Sequence, residues 1–174
     1  MLLGDRGVPN YYGPHTTEMR RSKAHSTLIV DGKDMRKTKP AVTLFETGVD
    51  ADIWQCRSDG YAWLGVTHIR TIAFIKREPP IFVVVDQVKR RTSDVRQLDV
   101  YYHSMLSQVL VESAKRVTVG SGPTLTICSP ADNGDLWRGK EWSISLESNM
   151  TTAQLPFLAY RKTSATDERF SSVL

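Results

Sequence analysis

The feature that most constrains this chain is a repeat of two. Across residues 68–76, Ile69, Thr71, Ala73 and Ile75 fall on one side, and His68, Arg70, Ile72 and Phe74 on the other. Successive side chains of a strand leave opposite faces, so this alternation reads as a strand, whereas a helix needs apolar residues three and four apart. Helical spacing does not persist over eleven residues anywhere in the chain. Glu78-Pro79-Pro80 ends the run, because proline cannot donate to a ladder. Residues 81–85 are then continuously apolar, as expected of a strand buried on both faces.

The same rhythm recurs. Val42, Leu44 and Glu46 alternate with Thr43, Phe45 and Thr47 until Gly48. Residues 52–57 and 61–66 flank Ser58-Asp59-Gly60, a turn signal between two strand-like runs. Residues 98–102, 108–112, 116–119, 124–128, 142–146 and 157–160 repeat the pattern, separated by a short turn at 120–123 and a loop at 129–134. About a dozen short strands with little helix predict an all-β fold, an antiparallel β-sandwich. The 174 residues carry no long linker, so one domain over 1–174 is expected, burying about 70% of its unfolded surface.

Charge and cysteines narrow the function. Lys and Arg number 23 against 19 Asp and Glu, a mild excess that suits an acidic polysaccharide or an ordinary surface. Arg20-Arg21, Lys89-Arg90-Arg91 and Lys115-Arg116 are spread along the chain rather than forming one dense stripe, which argues against nucleic acid. Cys56 and Cys128 make neither a disulfide scaffold nor a metal cluster, and free thiols are the expected state. No run approaches the ~20 apolar residues of a spanning helix.

Residues 24–34 organise the rest. His25 to Val30 are suited to a strand, with Thr27, Ile29 and Val30 β-branched, and Asp31-Gly32 supplies a turn. His25 stands at the head of that strand, where a sheet can aim an imidazole. The other histidines, His15, His68 and His103, show no local metal spacing. His68 and Arg70 share one face of their strand, which suits a polar contact between sheets.

The run AHSTLIVDGKD resembles the Ala-His-Asn-Thr-apolar-apolar-Val-Asp-Gly signature of the heparinase II/III-like polysaccharide lyases. LLGDRGVPNYYG, from Leu2, is similar to the Asp-x-Gly segment preceding it, and THIRTIAFIKREPPIFVVVDQV, from Thr67, to the paired strands that follow. The resemblance implies the C-terminal β-sandwich of an enzyme that cleaves uronic-acid-containing polysaccharide by β-elimination. It implies a periplasmic or secreted parent with an N-terminal helical toroid, missing here, and a chain cut at both ends that is inactive alone. Asp5 and His25 would be zinc ligands, with a further His expected upstream of Met1. Tyr12 would act in catalysis, and Tyr11 and Arg70 would contact substrate. Ser26 departs from the family's Asn, and Arg6 from its Pro. The alternative is a non-catalytic carbohydrate-binding or structural sandwich that stacks Trp54, Trp63, Trp137 or Trp142 on sugar rings.

Overall fold

The computed structural model describes residues 15–104, 107–113, 115–119, 125–128, 134–145 and 151–174. A helical turn, α1 (Thr16–Met19), and a 3-10 turn (Ser22–Ala24) lead into β1 (Leu28–Val30). β2 (Ala41–Thr47), β3 (Ala51–Ser58), β4 (Val66–Ile75) and β5 (Ile81–Arg90) form a meander, followed by β6 (Arg96–His103). Then come β7 (Val109–Ser113), β8 (Arg116–Val119), β9 (Leu125–Cys128), β10 (Asp135–Ser145), β11 (Thr151–Ser164) and β12 (Glu168–Val173). The pairings are antiparallel and build two sheets, β1-β6-β11-β10 and β2-β3-β4-β5-β12-β9-β8-β7. This is the all-β sandwich that the period of two predicts. No helix among the described residues is long and apolar enough to cross a membrane.

The core lies between the sheets. Leu28, Val30, Leu98, Val100, Leu158 and Tyr160 from the narrow sheet meet Val66, Val88, Val117, Ile127 and Phe170 from the wide one. Fully burying each such side chain contributes about 1.5–3 kcal/mol. The narrow sheet also buries its other face. Ile29, Tyr101, Phe157 and Ala159 cluster there with Trp137, and the Lys23 ammonium lies 5.9 Å from the Tyr101 ring centroid. The segment before β1 therefore crosses that outer face instead of trailing into solvent.

Asp31 and Gly32 have φ of 51° and 65°, and the Lys33 N–H donates to the Val30 carbonyl at 3.0 Å. Two left-handed residues closing a hairpin match the twist of its strands. Asp31 accepts the strain because its carboxylate is anchored to β6, taking the Gln97 N–H and an Arg96 N–H, each at 3.0 Å.

Four local expectations are corrected. Ala62–Leu64 form a 3-10 turn rather than a strand, with Gly65 at φ 69° closing it. A bulge between Val42 and Leu44 breaks the simple alternation of β2. Val42 pairs with Cys56 and Phe45 with Trp54, so Val42 and Phe45 share a face. Residues 81–85 are not buried on both faces: Val84 is buried, while Ile81, Val83 and Val85 on the opposite face are only half-buried. The late strands, finally, are much longer than the short runs suggest, with β10 and β11 pairing from Asp135↔Arg161 to Ser145↔Thr151.

Gly32 is the simplest test of the hairpin. No atom lies within 4 Å of where a Cβ would stand, so any loss in Gly32→Ala is backbone strain alone. We expect the alanine to cost about 1 kcal/mol and asparagine less, read as a lower urea midpoint at unchanged slope.

Candidate functional site

His25, expected at the head of the strand, instead caps the 3-10 turn three residues before β1, and it opens onto a groove where residues 33–40 pass the incoming segment. The geometry comes from a strap, residues 33–40, tied down at several points. Asp34 Oδ1 accepts the Ser22 N–H at 2.8 Å, and the Met35 N–H donates to Ser22 Oγ at 2.7 Å. The Tyr61 hydroxyl donates to the Lys33 carbonyl at 2.7 Å, and the Arg36 N–H to the Gly60 carbonyl at 3.0 Å. Met35 fits against Gly60 so tightly that a Cβ there would meet its Cγ at 2.4 Å. The strap therefore has a fixed course, and it carries Arg36 and Lys37 past His25.

The groove encloses about 380 Å³ and is lined by Arg20, His25, Arg36 and Lys37, with Ser22, Thr27, Thr38 and Ser58 supplying hydroxyls. None of its described lining residues is acidic. Three permanent cations and an imidazole around an open concavity favour an anion, because low-dielectric walls focus the field of like charges. A search of the sequence for one contiguous basic stripe passes over this feature. Residues 20–39 hold seven Lys or Arg against two Asp, more than the excess of the whole chain, and the hairpin folds that stretch onto itself.

Beneath the groove lies a buried ionic cluster. Asp86 on β5 is 1% exposed in its side chain, and three donors meet it: His68 Nε2 at 2.6 Å, Arg70 Nε at 2.7 Å and Arg70 Nη2 at 3.0 Å. Pairing Arg70↔Asp86 across β4 and β5 brings these groups together, and His68 lies two residues along on the same face. Burial alone would raise the Asp86 pKa; the Arg70 charge and the His68 and Arg70 hydrogen bonds outweigh it and hold the carboxyl far below the usual range. Arg70 is likewise driven upward, burial being outweighed by Asp86. An ionised carboxylate only accepts, so His68 carries its proton on Nε2. Arg70 Nη1 reaches past Asp86 and donates to the Ser26 carbonyl, next to His25.

The other expected site residues fall as follows. Arg70, expected at substrate, has its guanidinium engaged by Asp86 and Ser26 and its side chain only 17% exposed. Asp5, Tyr11 and Tyr12 lie outside the described residues, so only His25 of the expected zinc pair is in view. Among the described residues no three His, Cys, Asp or Glu come together to hold a metal. Zinc takes at least three protein donors, which the described surroundings of His25 do not supply. The described tryptophan side chains do not line one open face. Trp63, 40% exposed, has Arg36 and Lys33 over its ring, while Trp137 packs edge-on against Phe157 and Tyr101. Trp54 belongs to β3 in the other sheet. The Trp142 side chain is not among those described, and Cys56 has a free thiol.

Asp86→Asn tests the cluster. It strands a buried guanidinium without its counter-charge, and we expect a loss of about 3–5 kcal/mol in denaturant unfolding. A depressed folded pKa makes the aspartate's contribution complete above its unfolded value of about 3.9 and lost as pH falls through the folded one. The stability gap between the parent chain and the variant should narrow as pH falls below about 4.

The architecture has known counterparts. The heparan sulfate lyase HepC from Pedobacter heparinus superposes with a TM-score of 0.80 and 22% identity, over 99% of this chain and 28% of that one. The heparinase III BT4657 gene product gives 0.77 and 15%, over 99% and 27%. A structure of heparinase III gives 0.78 and 15%, over the same shares. At these identities the likeness is one of fold, and the chain spans little more than a quarter of each counterpart. No curated protein sequence matches the chain. The profile described as "Heparinase II/III-like, C-terminal" matches residues 2–167, and the chain therefore belongs to the heparinase II/III-like family as its C-terminal domain.

Proposed function

We propose that this domain serves a polysaccharide lyase that cleaves uronic-acid-containing polysaccharide by β-elimination. The observation that carries the reading is the cationic groove at His25, set in a domain of this family. In β-elimination the sugar carboxylate is neutralised, a base takes the proton at C5, and the glycosidic oxygen leaves C4 with proton assistance. Arg20, Arg36 and Lys37 fit the first of these steps, since they offset the charge of an acidic glycan where it lies against the sandwich. Arginine pairs with planar carboxylates and with sulfate esters through two parallel N–H donors.

Proton transfer to the leaving oxygen is assigned to Tyr12, a phenol that can donate once aligned with it, and Tyr11 is assigned a substrate contact. Asp5 and His25 are proposed as two donors of a zinc site completed by residues from outside this sequence; bound zinc would fix the loop that bears them. The remaining catalytic groups are assigned to a helical domain of the parent, so the 174 residues alone are proposed to bind without turning over. The HepC and heparinase III likenesses support an acidic glycan of the heparan class as first probe.

Reversing two cations tests the reading. Arg36→Glu with Lys37→Glu should weaken binding of a heparan sulfate oligosaccharide by about tenfold or more, and the parent chain's own affinity should fall as salt rises. Affinity unchanged by both reversals would remove the groove from substrate binding. Ultraviolet monitoring of the unsaturated product should show no turnover by the chain alone, and turnover would refute the assignment of catalysis to an outside domain.

A further inference from the structure

Two donors, one from each sheet, a largely covered guanidinium and a buried imidazole, converge on the backbone either side of His25. From the wide sheet, Arg70 Nη1 donates to the Ser26 carbonyl. From the narrow sheet, His103 Nε2 donates to the Lys23 carbonyl at 2.8 Å, its proton placed there because a carbonyl can only accept. The His103 backbone N–H also donates to Ser26 Oγ at 3.0 Å. The serine that departs from the family's asparagine is thus held at both its hydroxyl and its carbonyl.

Neither donor is loose. Arg70 is forked onto Asp86, which His68 also holds. His103 is 2% exposed, stacked on Tyr101 at 5.8 Å and 11° between planes, and tilted against Phe157 at 5.9 Å. Loop carbonyls ordinarily bond to water, and a loop can keep its freedom at little cost. Here a guanidinium and an imidazole, both withdrawn from solvent and fixed by their own neighbours, are aimed at carbonyls flanking one residue. That arrangement removes the backbone freedom which would otherwise let His25 swing along the groove.

We infer that Arg70 and His103 are positioning residues for His25: they touch no ligand, but they set where its imidazole stands beside Arg20, Arg36 and Lys37. The inference rests on the reading of the groove as an acidic-glycan site and adds the means by which that site is pre-organised. Ligand affinity depends on such pre-organisation because a side chain ordered in advance loses less entropy on binding.

The test is a double-mutant cycle on the whole chain with a heparan sulfate tetrasaccharide as probe, read by calorimetry and by the His25 ring resonances in nuclear magnetic resonance. Arg70→Lys keeps a cation beside Asp86 but lacks the second arm of the fork. His103→Phe keeps the ring stack and loses the ring donor. Each should weaken binding about fivefold and move the His25 resonances, and neither should weaken it further once His25→Ala is present. If Arg70→Lys does not fold, His103→Phe carries the cycle by itself. Losses that add fully in the His25→Ala background, or His25 resonances unmoved by both variants, would overturn the inference. Should His25→Ala bind as the parent does while the Arg36 and Lys37 reversals still abolish binding, the groove stands and the positioning role falls. Should the parent chain not bind the probe, the groove reading falls and the His25 resonances decide positioning.

Discussion

A single carboxylate, Asp86, sets the terms for the polar interior. A charge withdrawn from water costs several kcal/mol, and attraction offsets that only when its hydrogen bonds are complete and well aimed. Asp86 meets the condition with three donors at 2.6 to 3.0 Å from two residues of the neighbouring strand. The requirement propagates outward. Arg70 must take one orientation to satisfy Asp86, and in that orientation its remaining arm meets the loop before β1. Asp99 repeats the solution on the far side of the narrow sheet, taking Arg161 Nε at 2.6 Å and Nη2 at 3.1 Å, with the same guanidinium 4.7 Å from the Trp137 ring centroid. One arginine–aspartate fork thus stands on the wide sheet and another on the outer face of the narrow sheet, each with its carboxylate withdrawn from solvent.

The groove and the interior form one mechanical unit. The Asp31-Gly32 hairpin reverses the chain so that residues 33–40 run beside residues 20–27, and neutral groups (Ser22, Tyr61, Met35 and the Gly60 carbonyl) do most of the tying. With these groups and Asp34 holding the strap, Lys37 lines the concavity together with Arg36, whose guanidinium also lies over the Trp63 ring. Like charges held close together cost free energy in the unliganded protein, and an anion entering among them relieves that repulsion.

Much of this is legible in the chain itself. The alternation in β4, the Asp31-Gly32 turn and the shared face of His68 and Arg70 are local consequences of residue type, and the structure displays each of them. What escapes a sequence reading is set by distant partners. Residues 61–66 carry strand-like composition, yet Ala62–Leu64 form a 3-10 turn that Gly65, in the left-handed region, closes. Gly139 and Pro156 interrupt β10 and β11 in sequence, but a Cβ at 139 would stand 2.8 Å from the Phe157 ring, so glycine there lets the ring lie on the strand. The shared face of His68 and Arg70 suits a polar contact, but nothing local reveals that its partner is Asp86, sixteen residues on from Arg70. The cations of the groove look dispersed because proximity across a hairpin is invisible to a linear scan. Asp5, Tyr11 and Tyr12 fall outside the described residues, so the resemblance alone speaks for them.

The irregularity in β2 bears on what this sheet margin offers to another strand. β2 is an outermost strand, with Val42 60% and Phe45 68% exposed, the combination that invites a stray chain to zip onto a sheet margin. Thr43, the unpaired extra residue, spoils the even spacing of outward amides and carbonyls, and its hydroxyl folds back onto Gln55 Oε1 at 2.8 Å. Pro40, immediately before the strand, offers no N–H at all. A guest strand would therefore meet an interrupted template at the start of this rim.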